Sequence, residues 1–152
     1  MLNPARIPPE VLALLETTDA VSGDAFKNCR MPDEARAGLL IHRGRMDDAH
    51  KVAQDLASRE GSYWHGIIHR MEPDDFNAKY WFRRVGPHDI GPALLHASID
   101  AGWDPGRHWD HSRFVDFMSE ARSGGSQLAI AEAIQTAEWE LLFEFCATGK
   151  NL

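Results

Sequence analysis

The stretch SQLAIAEAIQTAEWELLFEFCA, residues 126–147, predicts the longest helix of this 152-residue sequence. Its apolar side chains recur at intervals of three and four along one stripe, formed by Ile130, Ile134, Ala137, Leu141 and Phe145. This period is typical of an amphipathic α-helix with one face on a core. Further apolar residues flank the stripe in the last turns of the segment, so we expect this helix to lie at the centre of the fold.

The segments before this helix show the same helical period between turn-forming residues. None alternates polar and apolar residues in the way that a strand of a half-buried sheet does. We therefore predict a single all-α domain over residues 1–152, a helical bundle or array of about seven helices. Residues 18–31 are rich in turn-forming residues and are expected to form a surface loop.

Turn and capping residues set the expected boundaries of the middle helices. A helix over 32–43 and the helix after it are predicted to form an antiparallel hairpin, whose second helix ends at Gly61. Ser62 is expected to cap the following helix, and Asp74 or Asp75 the next one, because short polar side chains accept hydrogen bonds from free amides at helix starts.

The charge balance limits the classes of partner. The sequence has 23 acidic and 16 basic residues and a formal charge of −7, which repels polyphosphate, so we expect no nucleic-acid partner. No segment approaches the roughly 18 apolar residues of a membrane span, so no membrane partner is expected, and the start of the sequence has no apolar signal core. With two cysteines outside any disulfide or zinc-site spacing, the features predict a cytoplasmic monomer or small homo-oligomer.

The stretch from 63 to 72, YWHGIIHRME, carries the most informative polar residues. At about 100° per residue, His65, His69 and Glu72 share one face of a helix. Two imidazoles four residues apart can bind one metal ion, and His50 on the preceding helix is the nearest third ligand. The sequence therefore predicts a site for a divalent transition metal, zinc or iron. The alternative is that the imidazoles only hydrogen-bond neighbouring carboxylates or carbonyl groups.

Three protein ligands would leave one metal position open, which makes hydrolysis or group transfer feasible. Glu72 or Asp74 is then the expected base. The zinc-protease pattern His-Glu-x-x-His is not present, because Gly66 occupies the position of its glutamate, so a protease of that type is disfavoured. The first functional hypothesis is a small-ligand or metal-binding domain, with a metal-dependent hydrolase or transferase as its enzymatic form.

A second group of polar residues follows in the stretch NAKYWFRR, residues 77–84. Arg83 and Arg84 can supply positive charge, and Asn77 and Tyr80 can supply polar and aromatic contacts, for a small molecule or an anion. The alternative is structural: the apolar members of the stretch pack in the core, and the arginines pair with nearby carboxylates.

A different class of function, a protein-interaction module, is suggested by AGLL at residues 37–40 and GRMDDA at 44–49. Together they look like one helical hairpin of the tetratricopeptide type. The sequence shows only one hairpin of this type, and repeat arrays need about three units to bury their apolar faces. Interaction is therefore the alternative hypothesis.

Two blocks, GSYWHGIIHRMEPD at 61–74 and NAKYWFRRVG at 77–86, resemble a family of small helical proteins that has no assigned activity. Later segments are similar to the same family, namely WD at 109–110, FVDF at 114–117 and EWELLF at 138–143. The resemblance covers roughly residues 33–147. It implies a shared helical fold and assigns no cofactor or catalytic residue to these positions.

Overall fold

The computed structural model describes residues 1–18 and 20–151, and this part of the chain is largely helical. Its α-helices are α1 Pro9–Leu15, α2 Pro32–His42, α3 Met46–Gln54, α4 Arg59–Met71, α5 Asp75–Val85, α6 Gly91–Ala101, α7 His111–Arg122 and α8 Leu128–Ala147. No β-strand forms among the described residues. The predicted all-α domain is confirmed, with eight α-helices where about seven were expected.

Helix α8 contributes to both parts of the hydrophobic core. One part lies between α6, α7 and the first half of α8, where Ile134 is fully buried. The larger part is formed by α1 to α5 and the second half of α8, where Leu142 and Phe143 are fully buried. Although α8 has 20 residues, it carries four glutamates. No helix in the described ranges is long and apolar enough to cross a membrane.

The segment 18–31, expected to be a surface loop, lies partly inside the protein; its residue Asp19 is outside the described part of the chain. Phe26 and Cys29 are fully buried. Cys29 forms an isolated antiparallel bridge with Gly149, and the amide of Arg30 donates to the carbonyl of Thr148 at 2.7 Å. The residues that follow α8 therefore hold this segment against the core, a long-range contact that its turn-rich composition did not indicate.

The boundary between α3 and α4 was predicted too late in the sequence. Gly61 does not end a helix and Ser62 does not cap one, because both lie inside α4. The cap is Ser58, whose Oγ accepts a hydrogen bond from the amide of Gly61 at 3.0 Å. A Cβ atom at Gly61 would lie 2.5 Å from Cβ of Leu56. Glycine is therefore required at this position by the tight approach of the preceding turn.

A buried ion pair joins α4 to α8. Arg70 and Glu138 are both fully buried, and Nη2 of Arg70 donates to Oε1 of Glu138 at 2.5 Å. The hydroxyl of Tyr63 donates to the other carboxylate oxygen at 3.1 Å, and Oε1 of Gln135 accepts from Nε of Arg70 at 3.2 Å. The guanidinium carbon lies 4.5 Å from the ring centre of Phe114 on α7. Three helices therefore meet at a single charged group.

We expect the substitution Glu138→Gln to destabilise the protein by about 3–5 kcal/mol, because it leaves the charge of Arg70 buried without a counterion. Urea unfolding at pH 7 measures this loss. The matched control is Arg45→Ala, which removes the exposed ion pair with Asp48 and should cost less than about 1 kcal/mol. Replacing Arg70 and Glu138 together by Met and Leu should cost less than Glu138→Gln alone. Equal losses for Glu138→Gln and Arg45→Ala would contradict this account of the pair.

Candidate metal centre

Three histidine rings meet where α3 packs against α4. His50 comes from α3, and His65 and His69 come from successive turns of α4. Each residue offers one ring nitrogen, and these three nitrogens all lie within 4.8 Å of one another. The two closest are Nε2 of His50 and Nε2 of His65, 2.9 Å apart. The structure therefore brings together the three residues that the sequence predicted as metal ligands, and we call them the histidine cluster.

The short turn between α3 and α4 sets the position of His50. Oγ of Ser58 donates to Oε1 of Glu34 at 2.8 Å while it caps α4, so the turn is fixed to α2 as well. On α3, the small side chains of Ala49 and Ala53 are buried and allow a close approach to the core. His50 is half-buried next to Ala49, at the edge of this interface.

Helix α5 covers the other side of the cluster. The indole ring of Trp81 stacks on the ring of His65, with centroids 3.8 Å apart and an angle of 16° between the planes. The two helices approach closely because residue 66 is glycine. A Cβ atom there would lie 2.7 Å from Cε1 of Phe82. Gly66 thus has a steric role at the position where the zinc-protease pattern has its glutamate.

Burial keeps the rings of α4 in the neutral form. His65 is only 3% exposed, and burial together with the neighbouring rings of His50 and His69 lowers its pKa to about 4. Burial also lowers the pKa of His69, although Glu72 and Asp74 oppose this effect. Neutral imidazole is the form that binds a metal ion. At pH 7 these two ligands would bind without first losing a proton.

Hydrogen bonds within the protein satisfy only part of the cluster. The Nδ1 atoms of His65 and His69 are buried and find no hydrogen-bond partner in the part of the chain that the structure describes. The 2.9 Å contact between Nε2 of His50 and Nε2 of His65 requires a proton on only one of the two nitrogens. Buried polar atoms without partners cost about 1–3 kcal/mol each. Two ring nitrogens of the cluster are thus buried without a hydrogen bond among the described residues.

Glu72 and Asp74, the predicted bases, both lie beside His69. Oε2 of Glu72 is 3.6 Å and Oδ2 of Asp74 is 3.7 Å from Nδ1 of His69, beyond hydrogen-bond distance but close enough to orient the ring. Asp74, one of the two caps that the sequence offered, also caps α5 and accepts from the side chain of Asn77 at 2.7 Å. A carboxylate behind a ligating histidine is the usual support of a metal site.

The four residues that the sequence predicted as contacts for a small molecule or an anion do not lie together. Tyr80 and Arg84 lie around Trp81, with the Tyr80 ring 5.1 Å from the indole and the Arg84 guanidinium 5.3 Å above it. Asn77 is engaged with Asp74. Arg83 instead borders a cleft between α5, α6 and α7. Neighbouring positions on α5 thus serve two different surfaces of the protein.

Two features of the site were missed at the level of sequence. Trp81 was assigned to the core stripe of α5, yet it is only half-buried and stacks on His65. The sequence did carry one signal for this position. Trp81 lies four residues after Asn77, a predicted ligand contact, and residues four apart share a helix face. The cleft beside Phe82 gave no local signal, because its walls come from three separate helices.

Comparisons with protein-family models, with curated proteins and with solved structures found no match to this chain.

We expect Gly66→Ala to destabilise the protein by about 1–3 kcal/mol, because the added methyl group clashes with the buried ring of Phe82. This clash should outweigh the roughly 1 kcal/mol that alanine gains in helix propensity. Gly91→Ala in α6 is the matched control, since its Cβ would meet only Cβ of Trp109 at 3.9 Å. Urea unfolding compares the two variants. A Gly66→Ala variant as stable as Gly91→Ala would show that the approach of α5 to α4 is not tight.

Proposed function

We propose that this protein binds one divalent transition-metal ion, zinc or iron, through His50, His65 and His69. The observation that carries the proposal is the convergence of one nitrogen from each ring within 4.8 Å of the other two. Zinc bound tetrahedrally to nitrogen at about 2.0–2.1 Å separates neighbouring ligand atoms by about 3.3 Å. The nitrogens of the cluster, 2.9 Å apart for His50 and His65 and within 4.8 Å of one another overall, bracket this spacing.

The chemistry of the ligands supports the choice of metal. Imidazole suits zinc, iron, nickel and copper, whereas magnesium and calcium prefer oxygen ligands. The cluster contains no thiol, and its carboxylates, Glu72 and Asp74, face Nδ1 of His69. In this proposal Nε2 of His69 is the ligand atom, and the carboxylates accept a hydrogen bond from its Nδ1–H once the ring tightens around the metal.

Three protein ligands leave a fourth position, and this is the basis of the enzymatic form of the proposal. An open position on zinc or iron binds a water molecule and activates it for hydrolysis or group transfer. Of the two candidate bases, Glu72 is the freer, because Asp74 is already used as a helix cap and as the acceptor of Asn77. Glu72 ends α4 with 43% of its side chain exposed.

The interaction-module hypothesis has less support from the geometry. The hairpin of α2 and α3 is packed inside the domain, and residues 37–41 of α2 are all buried. Aromatic rings of other helices cover this face; the carbonyl of Gly38, for example, accepts from the indole of Trp139 on α8. A repeat module would need such a face exposed for its neighbour or partner. We therefore favour the metal site.

Calorimetric titration of tag-free, chelator-treated protein with zinc chloride tests the metal site. We expect one ion per chain and a rise in melting temperature on zinc or ferrous iron, because a ligand at 100 times its Kd stabilises the native state by about 2.7 kcal/mol. His69→Gln should weaken zinc binding at least tenfold. His96→Gln, which changes an exposed histidine outside the cluster, should leave it unchanged. No heat and no thermal shift, or equal affinity for His69→Gln and the parent protein, would refute the site.

Cobalt substitution tests the open position. The visible spectrum of a cobalt ion bound by three imidazoles responds to exchange of the remaining ligand. We expect azide to change the spectrum of the cobalt-loaded protein, and to do so equally in Glu72→Gln, since Glu72 is assigned as a base rather than as a ligand. A spectrum that ignores azide would mean a closed coordination sphere, and the hydrolase or transferase form of the proposal would then be wrong.

A further inference from the structure

A cleft separate from the histidine cluster lies between the end of α5, the start of α6 and the start of α7. Its volume is about 940 Å³, at the upper end of the range of roughly 300–1,000 Å³ that is typical of small-molecule sites. Apolar and aromatic side chains form much of its wall, namely Phe82, Pro87, Pro92, Leu95, Pro105 and Trp109. The cleft is therefore large enough, and apolar enough, for an organic ligand.

The charge of the cleft is opposite to that of the protein. The chain as a whole carries −7, yet Arg83, Arg107 and Arg113 all border the cleft, and Asp110 is the one acidic residue among those that line it. Asp110 is committed to capping α7, where its Oδ1 accepts from the amide of Arg113 at 3.1 Å. A cluster of guanidinium groups in an acidic protein favours an anionic ligand.

Two of these arginines have no partner among residues 1–18 and 20–151. The side chains of Arg83 and Arg107 are exposed and take part in no hydrogen bond or ion pair within that part of the chain. Arg113 is held in place, since its Nη1 donates to the carbonyl of Pro105. The start of α6 also borders the cleft at Gly91, and the positive end of a helix dipole adds to the attraction for an anion.

The interior of the cleft offers few free polar groups. Nε2 of His111 donates to the carbonyl of Gly86 at 3.1 Å, and its Nδ1 accepts from the indole of Trp109 at 3.1 Å. His88 is engaged in the same way, with Nε2 2.9 Å from Oε1 of Glu60. Both rings are therefore satisfied within the protein. Inside the cleft a ligand meets mainly ring faces and apolar side chains.

From these observations we propose that the cleft binds a small organic anion that has an apolar or aromatic body and one carboxylate. The body lies against Leu95 and Trp109, and the carboxylate lies at the edge of the cleft with Arg83 and Arg107. This assignment is independent of metal binding. The two sites are on different faces of α5, since Trp81 contacts the histidine cluster and Phe82 and Arg83 contact the cleft.

Titration with 2-naphthoate, followed by calorimetry, tests the cleft. Its neutral analogue 2-naphthylmethanol and inorganic phosphate separate the contributions of charge and body. We expect 2-naphthoate to bind at least tenfold more tightly than either. Arg83→Gln and Arg107→Gln should each weaken naphthoate binding about tenfold, because each removes a charge-assisted hydrogen bond. Leu95→Trp should block binding by filling the cleft.

Arg84→Gln is the matched control, because this neighbouring arginine lies over Trp81 on the other side of α5. It should bind naphthoate as the parent protein does, and so should His69→Gln, whatever the outcome of the metal titration. Absence of naphthoate binding would overturn the proposal. So would equal losses in Arg83→Gln and Arg84→Gln, which would place the ligand elsewhere, or equal binding of the neutral analogue, which would remove the role of charge.

Discussion

The rest of the structure depends on the buried ion pair between Arg70 and Glu138. Taking two charges out of water is costly, and the hydroxyl of Tyr63 and the side-chain oxygen of Gln135 offset part of this cost by adding hydrogen bonds to the pair. Its apolar surroundings admit few alternative geometries. The pair thereby fixes the rotation of α4 against α8, and with it the direction in which α4 presents His65 and His69.

Helix α5 turns this fixed scaffold into two separate surfaces. Its successive residues point about 100° apart, so Trp81 and Phe82 face different neighbours. Trp81 stacks on His65, whereas Phe82 contacts α4 at Gly66 and also forms part of the cleft wall. One helix of 11 residues thus shields the histidine cluster from water on one side and shapes an apolar cleft on the other.

Local signals in the sequence were sufficient for the helical class and for the predicted Asp74 cap. The grouping of His65 with His69 also followed from local spacing, because residues four apart share a helix face. The prediction for His50 depended on how the hairpin packs, and the fold does place this residue beside His65. Sequence reasoning failed where distant segments meet. The burial of Phe26 depends on contacts of its segment with the end of the chain, and the role of Gly61 depends on the turn that approaches it.

The central position of α8 has a consequence for the order of folding. In the sequence this helix follows the seven others, and its residues Ile134, Leu142 and Phe143 fill both parts of the core. Without it the apolar faces of the earlier helices lose a large part of their packing, and contacts so far apart in sequence form slowly. Docking of α8 is therefore expected to be a late step of folding, and a species that precedes it exposes apolar surface and is prone to aggregate.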